Sequence, residues 1–527
     1  MFPCNAQGSC HGCCHGFDRR HFLQGCAAAT VATAGSLIPG SGTSAAEPGR
    51  GKVRVAAVFL AQVRNSWPYP GFDAAGRQRE ILAALRQGCP EVEFIPVTIK
   101  TPGDAGKALD LKDQVDGYLV YVATLSWSLC GTLSAIGKLN KPLVVANEFL
   151  GGCGAFLRGT PPLVHKGGAV AVSTTRLDDL VAVAGQFASP GAADLTPAEF
   201  ARRCERAYRG TFPPAGETKC ADDSPKLTSI GECVARFRKS KVLVLGQGNG
   251  GRQRDVLGAT WQYVDWKELE ATYPEIDPDE ATEWASRWTR RAEALPAGEY
   301  VEPSVPPAKE IHNAALVYLA MCRLLKKHDT DMITANCGGG LGTSGALRGF
   351  PCLGFAQLLD DGGLGICEAH VDDTPPMLMA RLLSGRPGFV SDPAIDTSQN
   401  RIVYSHCVGP TKVFGPGGEQ NGFHIRTSHA RLGAVVESLM PAGYMTTSFR
   451  TNVARRQMII HQAKSLGPLA SEKGCRTKLI GEVHGDIGKL FDQWSQFGWH
   501  RVTVYGDIKE PLTEFGKALG LEVVEEA

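Results

Sequence analysis

The chain has 527 residues, with 55 Lys and Arg against 54 Asp and Glu, so its net charge of +1 offers no basic excess to neutralise nucleic-acid phosphates. Hydrophobic residues at 43% and charged residues at 21% give the balance of a globular protein, and the length exceeds one ordinary core, which predicts two or three domains. Past the N-terminal segment no apolar run is long enough to span a bilayer.

Residues 1–50 read as targeting sequence rather than fold. Asp18-Arg19-Arg20-His21-Phe22-Leu23 pairs two arginines with a bulky apolar pair, a weakly apolar stretch runs from Cys26 to Ile38, and small residues follow around Ser44-Ala45-Ala46. This pattern resembles a twin-arginine export signal, so the mature protein is expected in the periplasm or outside the cell. Cys10, His11, Cys13, Cys14 and His15 have zinc-like spacing but lie upstream of the signal, and are expected to leave with it. Five of the 17 cysteines precede residue 30; the other 12 are scattered without CxxC pairs, so no zinc ribbon is expected, and an exported chain admits disulfides.

The first α/β domain is expected over 51–225. Lys52–Leu60 is an apolar run that predicts a buried strand, Arg77–Arg86 has a helical apolar face, and Val92–Val97 alternates as a second strand. Apolar runs opening at Asp116 and at Pro142 continue the βαβ pattern of a parallel sheet covered on both faces. Ligands on such sheets bind beyond the carboxyl ends of strands, which nominates Thr124, Ser126, Trp127, Asn147 and Glu148. A second α/β domain is expected over 226–395, opened by the strand Lys241–Leu245 and continued by Trp261–Trp266, a helix over Pro278–Leu295 and an apolar helix over Ile311–Leu325. Over 396–527 the pattern alternates at Arg401–Ser405, His424–Ser428 and Tyr444–Arg450, which predicts antiparallel strands forming a barrel. The end returns to α/β character, with a strand at Arg501–Tyr505 and a helix over Glu510–Leu519.

Candidate ligands concentrate between Asn336 and His406. Cys337-Gly338-Gly339-Gly340 follows an apolar strand; Pro351-Cys352 opens a helical stretch; Gly365-Ile366-Cys367-Glu368-Ala369-His370 follows. Gly388 to Asp392 and Tyr404-Ser405-His406-Cys407 come next, and Trp499-His500 stands just before Tyr505-Gly506-Asp507. Carboxylates and imidazoles at the ends of apolar strands suit a hard or borderline divalent ion. Glu368 follows apolar residues with few counter-charges nearby, which favours a functional carboxylate. His424 and His429 read as surface or structural groups.

Gly246-Gln247-Gly248-Asn249-Gly250-Gly251 fits a dinucleotide fingerprint, and an NAD-dependent oxidoreductase is one alternative. Arg252–Leu257 lacks the apolar face of the helix that must follow, so a strand–turn–strand tip is expected there.

Residues 330–515 resemble the L-fucose/L-arabinose isomerase superfamily: a Pro-Cys helix, a Cys-Glu step, an Asp stretch, a His-Cys strand and a His before Tyr-Gly-Asp recur in that order. The N-terminal half agrees more loosely, through Asp116-Gly117-Tyr118 with Thr124 and through Pro142-Leu143-Val144. The resemblance implies two Rossmann-like parallel-sheet domains plus a C-terminal antiparallel barrel. It implies aldose–ketose isomerisation of a small sugar through an enediol, with Mn2+ held by two acidic residues and a histidine, in trimers or hexamers whose sites are shared between subunits. Glu368 matches the acidic step, as metal ligand and catalytic group; His406 and His500 match the histidines. Two positions depart from the family: its Cys-x-x-Glu carboxylate is replaced by Gly340, and its second aspartate by His370. The predicted ligand set is therefore Glu368, His370, His406 and His500, with Zn2+ an alternative to Mn2+. Trp127, Glu148, Asp372 and Asn336 are the predicted substrate-binding residues, and Glu148, Asp372, Asp373 and Glu419 are candidate replacements for the lost carboxylate. The altered motif also leaves a sugar-binding protein without isomerase activity as an alternative.

Overall fold

The first sheet follows from runs such as VRVAAVFL, in which every second residue meets a different apolar layer. In this computed structural model, which describes residues 51–62, 67–214, 218–248, 250–494 and 496–527, strand β1 (Val53–Leu60) sends Ala56, Val58 and Leu60 into one core and Val55, Ala57 and Phe59 into another. It joins β2 (Val92–Ile99), β3 (Gly117–Val122), β4 (Leu143–Asn147) and β5 (Val170–Val172) in the order β2-β1-β3-β4-β5, with every pairing parallel. The helix Ala74–Gly88 begins where the Asp73 carboxylate accepts from the Gly76 amide at 2.7 Å, and it buries Ile81, Leu82 and Leu85. The twin-arginine segment and the Cys10–His15 cluster lie outside the described residues.

The second sheet contains β6 (Lys241–Leu245), β7 (Gln253–Val256), β8 (Ala259–Val264), β9 (Met332–Ala335) and β10 (Leu364–Cys367), ordered β10-β9-β6-β8-β7. Three of its four pairings are parallel, but β7 is an antiparallel edge strand hairpinned onto β8. Residues 246–248 and 250–251 of the glycine-rich segment thus lie between β6 and β7. Gly246 has φ +76° there, and a Cβ on it would lie 2.1 Å from the Trp266 ring. Among the described residues no helix starts at this turn, so no helix N-terminus is offered to a pyrophosphate.

The third sheet closes on itself. Strands β11 (Phe389–Asp396) and β12 (Arg401–His406) are followed by a separate hairpin, β13 (Phe423–Arg426) with β14 (Val435–Ser438). Then come β15 (Met445–Asn452), β16 (Gln457–Pro468), β17 (Thr477–His484), β18 (Arg501–Tyr505) and β19 (Glu522–Glu525). The ring β15-β18-β11-β12-β17-β16 is antiparallel throughout and shuts through the β15–β16 pairing, a six-stranded barrel. Strand β19, which the sequence pattern did not announce, adds in parallel to β16 outside the ring. The expected strand at His424–Ser428 exists as β13 but belongs to the side hairpin rather than the barrel. No described helix is long and apolar enough to cross a membrane.

The barrel contributes to two apolar clusters. Ala394, Tyr404 and Leu479 share one with the first sheet's Val58 and Val120; Phe449, Val502 and Val504 share another with the second sheet's Leu243 and Ile333.

Candidate metal centre

Three neighbouring barrel strands end together. Asp392 on β11 pairs with Ser405 on β12, and Ser391 pairs with Arg501 on β18. This register brings Asp392, His406 and His500 to one barrel rim, each of them buried. Glu368 arrives from the second sheet. It follows β10 directly, with φ +69°, and Ala369 follows with φ +53°. Two successive non-glycine residues in the left-handed region cost on the order of 1–3 kcal/mol each, so the surroundings impose this sharp bend. The bend aims Glu368 and His370 at the barrel rim before the helix Thr374–Ser384 begins.

The four sequence-predicted ligands meet there. Glu368 Oε2 lies 3.1 Å from His370 Nε2 and 3.7 Å from His500 Nε2, and Glu368 Oε1 lies 3.7 Å from His406 Nε2. Asp392 Oδ1 lies 2.9 Å from His500 Nε2. The ligand atoms of Glu368, His370 and His500 fall within 4.8 Å of one another, and so do those of Asp392, His406 and His500. His500 is common to both groups and has its other nitrogen engaged: Nδ1–H donates to Asp373 Oδ2 at 2.6 Å. Arg450 donates in turn to Asp373 Oδ1 at 3.1 Å. A carboxylate behind the imidazole fixes its tautomer and leaves Nε2 facing the cluster, the arrangement that orients metal-bound histidines.

The donor set fits a divalent cation of borderline hardness: two carboxylates and up to three imidazoles. Asp392 Oδ1 is buried and makes no aligned hydrogen bond even though His500 Nε2 is close, and His406 Nδ1 is likewise buried and unbonded. Such atoms are costly unless a partner such as a cation satisfies them.

The electrostatics agree. Burial pushes the Glu368 carboxyl up, but hydrogen bonds from His370 and His406 and the charge of His500 hold it well below the usual range. Burial works against a charged His406, yet the Glu368 hydrogen bond and the Asp392 charge lift it to about 9. Asp373, buried yet facing His500 and Arg450, is held low.

The remaining candidates are placed differently. Asp373, named from sequence as a replacement ligand, stands behind His500, whereas Asp392, which had no assigned role, joins the cluster itself. Asp372 is occupied with backbone: its Oδ1 accepts from the Val453 amide at 2.9 Å. Asn336 caps the triglycine turn, accepting from the Gly339 amide at 3.1 Å and donating to the Gly246 carbonyl at 3.3 Å. Glu148 is buried in a separate network with Arg77, Tyr121 and Lys473. Glu419 is exposed in the loop before β13. Trp127 is 37% exposed and meets Trp499 edge-on at 5.4 Å, next to His500 in sequence. His424 is a buried structural residue, its Nδ1 donating to Glu437 at 2.8 Å. The 12 described cysteines are free thiols; Cys367 Sγ lies 3.2 Å from Cys337 Sγ beside Glu368.

No family model matches the chain. A stretch of 180 residues, 33% of this chain, is 26% identical to sulfoquinovose isomerase from Priestia aryabhattai, and the same holds for sulfoquinovose isomerase from Priestia megaterium. The match covers 39% of each relative, so the chain spans less than half the length of these proteins.

Proposed function

We propose that the protein is a metal-dependent aldose–ketose isomerase acting on a small sugar through an enediol. The convergence of Glu368, Asp392, His406 and His500 carries this reading, with Asp373 fixing His500 from behind. Two relatives that bear the name of a sugar isomerase support it. Glu368, Asp392, His406 and His500 would hold the ion, Mn2+ or Zn2+. When bound, the cation polarises the sugar's neighbouring oxygens and makes the intervening carbon-bound proton more acidic.

The chain's own groups then divide the work. Glu368, its side chain 44% exposed and its carboxyl held low by His370, His406 and His500, is placed to accept a proton from the carbon beside the carbonyl and return it to the former carbonyl carbon. His370, 3.1 Å from Glu368 and half exposed, relays the hydroxyl proton between the two sugar oxygens. Trp127 and Trp499 offer an aromatic wall to the apolar face of the ring. Export by the twin-arginine route and assembly into trimers or hexamers belong to the same proposal.

The test is a screen of aldoses, sulfonated sugars included, for ketose formation by manganese- or zinc-loaded protein. Turnover that disappears in Glu368→Gln is expected. Absence of turnover with every sugar, in protein shown to bind metal, overturns the isomerase reading. One observation favours a second reading: the triglycine turn presents no carboxylate where the family has its proton-transfer acid. A sugar that raises the melting temperature without being turned over would support a binding protein instead.

A further inference from the structure

A second set of ligand-type side chains lies beside the first and is chemically unlike it. Cys407, His429 and Cys475 bring two sulfurs and an imidazole nitrogen within 4.8 Å of one another, and Cys475 Sγ lies 3.7 Å from His429 Nδ1. Both thiols are buried and unpaired, and His429 is half-buried. A tetrahedral zinc ion with Zn–S of about 2.3 Å and Zn–N of about 2.0–2.1 Å requires S···N separations of roughly 3.6 Å. The observed spacing is already close to that.

The fold builds this cluster from three separate segments. Cys407 directly follows β12, and Cys475 stands two residues before β17; those strands pair with His406 opposite Thr477, so the two thiols leave the same end of the ladder. His429 comes from the loop beyond β13. That loop is strapped to the Cys475 segment by fully buried Arg476, whose Nε donates to the Thr427 carbonyl at 2.7 Å and whose Nη2 donates to the Ser428 carbonyl at 3.0 Å. Glu472 accepts from Arg476 Nη1 at 3.0 Å and holds the strap in place. On the other side the Trp67 ring meets His429 edge-on at 4.8 Å. The imidazole is therefore positioned by packing and backbone bonds rather than left on a free loop.

We propose that Cys407, His429 and Cys475 form a second metal site for a thiophilic divalent ion of the zinc class, separate from the carboxylate–imidazole centre. Two thiolates and a neutral imidazole balance the charge of such an ion, which suits a buried position. Three protein ligands leave a fourth position for water. The adjacent residues His406 and Cys407 then serve different ions, and the thiolate site ties the ends of β12 and β17 to the β13 loop.

The experiment uses the full chain, stripped of metal and reloaded. X-ray absorption of the zinc-loaded protein should show sulfur neighbours at about 2.3 Å. Titration with Co2+ should produce a near-ultraviolet thiolate-to-cobalt absorption that is lost in Cys475→Ser and weakened in His429→Ala, but retained in Asp392→Asn. Bound zinc should fall by one ion per chain in Cys407→Ser. A zinc shell of oxygen and nitrogen only overturns the proposal. So does a cobalt–thiolate band unchanged by Cys475→Ser, which would trace to Cys337 and Cys367. A Cys407–Cys475 disulfide in a non-reducing peptide map of the purified protein overturns it as well. The absorption measurement needs no variant, so a misfolded substitution does not leave the question open.

Discussion

His500 is held at Nδ1 by Asp373, and its Nε2 faces the cluster of Glu368 and Asp392. Asp373 touches no substrate in this scheme; it acts by aiming the ring. Replacing Asp373 by Asn keeps the shape but removes the charge, and a partner of this kind is worth roughly 10–100-fold in metal affinity. Isothermal titration of Mn2+ into Asp373→Asn should show a loss of that size with unchanged stoichiometry. The residue that follows, Arg501, is anchored as firmly. Buried Glu526 accepts from Arg501 Nε and Nη2, both at 2.8 Å, and from His461 Nδ1 at 2.6 Å. Burial alone would raise the Glu526 carboxyl, but Arg501 and His461 hold it at about 2, against an ordinary 4.5. Its folded value is depressed, so its contribution is present in full above about pH 4.5 and is lost as pH falls towards 2. The depression corresponds to about 3 kcal/mol. Glu526→Gln strands Arg501 in the interior, and acid-denaturation curves should show a large loss of stability at neutral pH that narrows below pH 4.5.

Elements place these residues, and they do so through close approaches that only certain sequences permit. Strand β10 must run against the helix Cys352–Asp360 for Glu368 to reach the barrel rim. A Cβ at Gly365 would sit 2.6 Å from Phe355 Cα and 2.8 Å from the Phe355 carbonyl oxygen, backbone atoms that cannot step aside. Gly365→Ala is expected to cost about 1–3 kcal/mol by overpacking and to shift Glu368. A lowered melting temperature together with weaker metal binding would show both effects; a loss of stability alone would show that the Glu368 bend tolerates the shift. The parallel sheets were legible because β1 and β6 are apolar runs bounded by polar turns. Glu368, His406 and His500 were legible because each ends or adjoins such a run. Asp392 had no assigned role because β11 reads FVSDPAID with all eight residues buried, so the alternation that separates inward from outward positions is absent. Asp373 was named as a ligand rather than as an orienting group because its partner lies 127 residues away, a distance at which sequence carries no information about pairing. Strand β19 escaped notice because its four residues, EVVE, have only two apolar positions and no buried face.

At the scale of the molecule, the centre lies where two sheets meet, with Glu368 and His370 supplied by one and Asp392, His406 and His500 by the other. Neither sheet holds a full ligand set, so a bound ion couples the second α/β layer to the barrel in addition to their shared apolar cluster of Phe449, Val502, Leu243 and Ile333. An ion that binds only the folded state stabilises it by RT ln(1 + [L]/Kd), about 2.7 kcal/mol at a hundredfold excess over Kd. For a chain of this length that corresponds to a rise of about 3 °C in melting temperature. Calorimetry of metal-stripped protein with and without Mn2+ should show that rise in the wild type. His500→Ala removes the ligand common to both groups and should abolish it, whereas Asp372→Asn, which alters only a backbone hydrogen bond, should keep it even from a lower starting temperature. Equal stabilisation of His500→Ala would mean that the ion binds elsewhere, and the two sheets would then be joined without it, by their apolar cluster and by the Asp372 and Asp373 bonds to Val453 and Arg450.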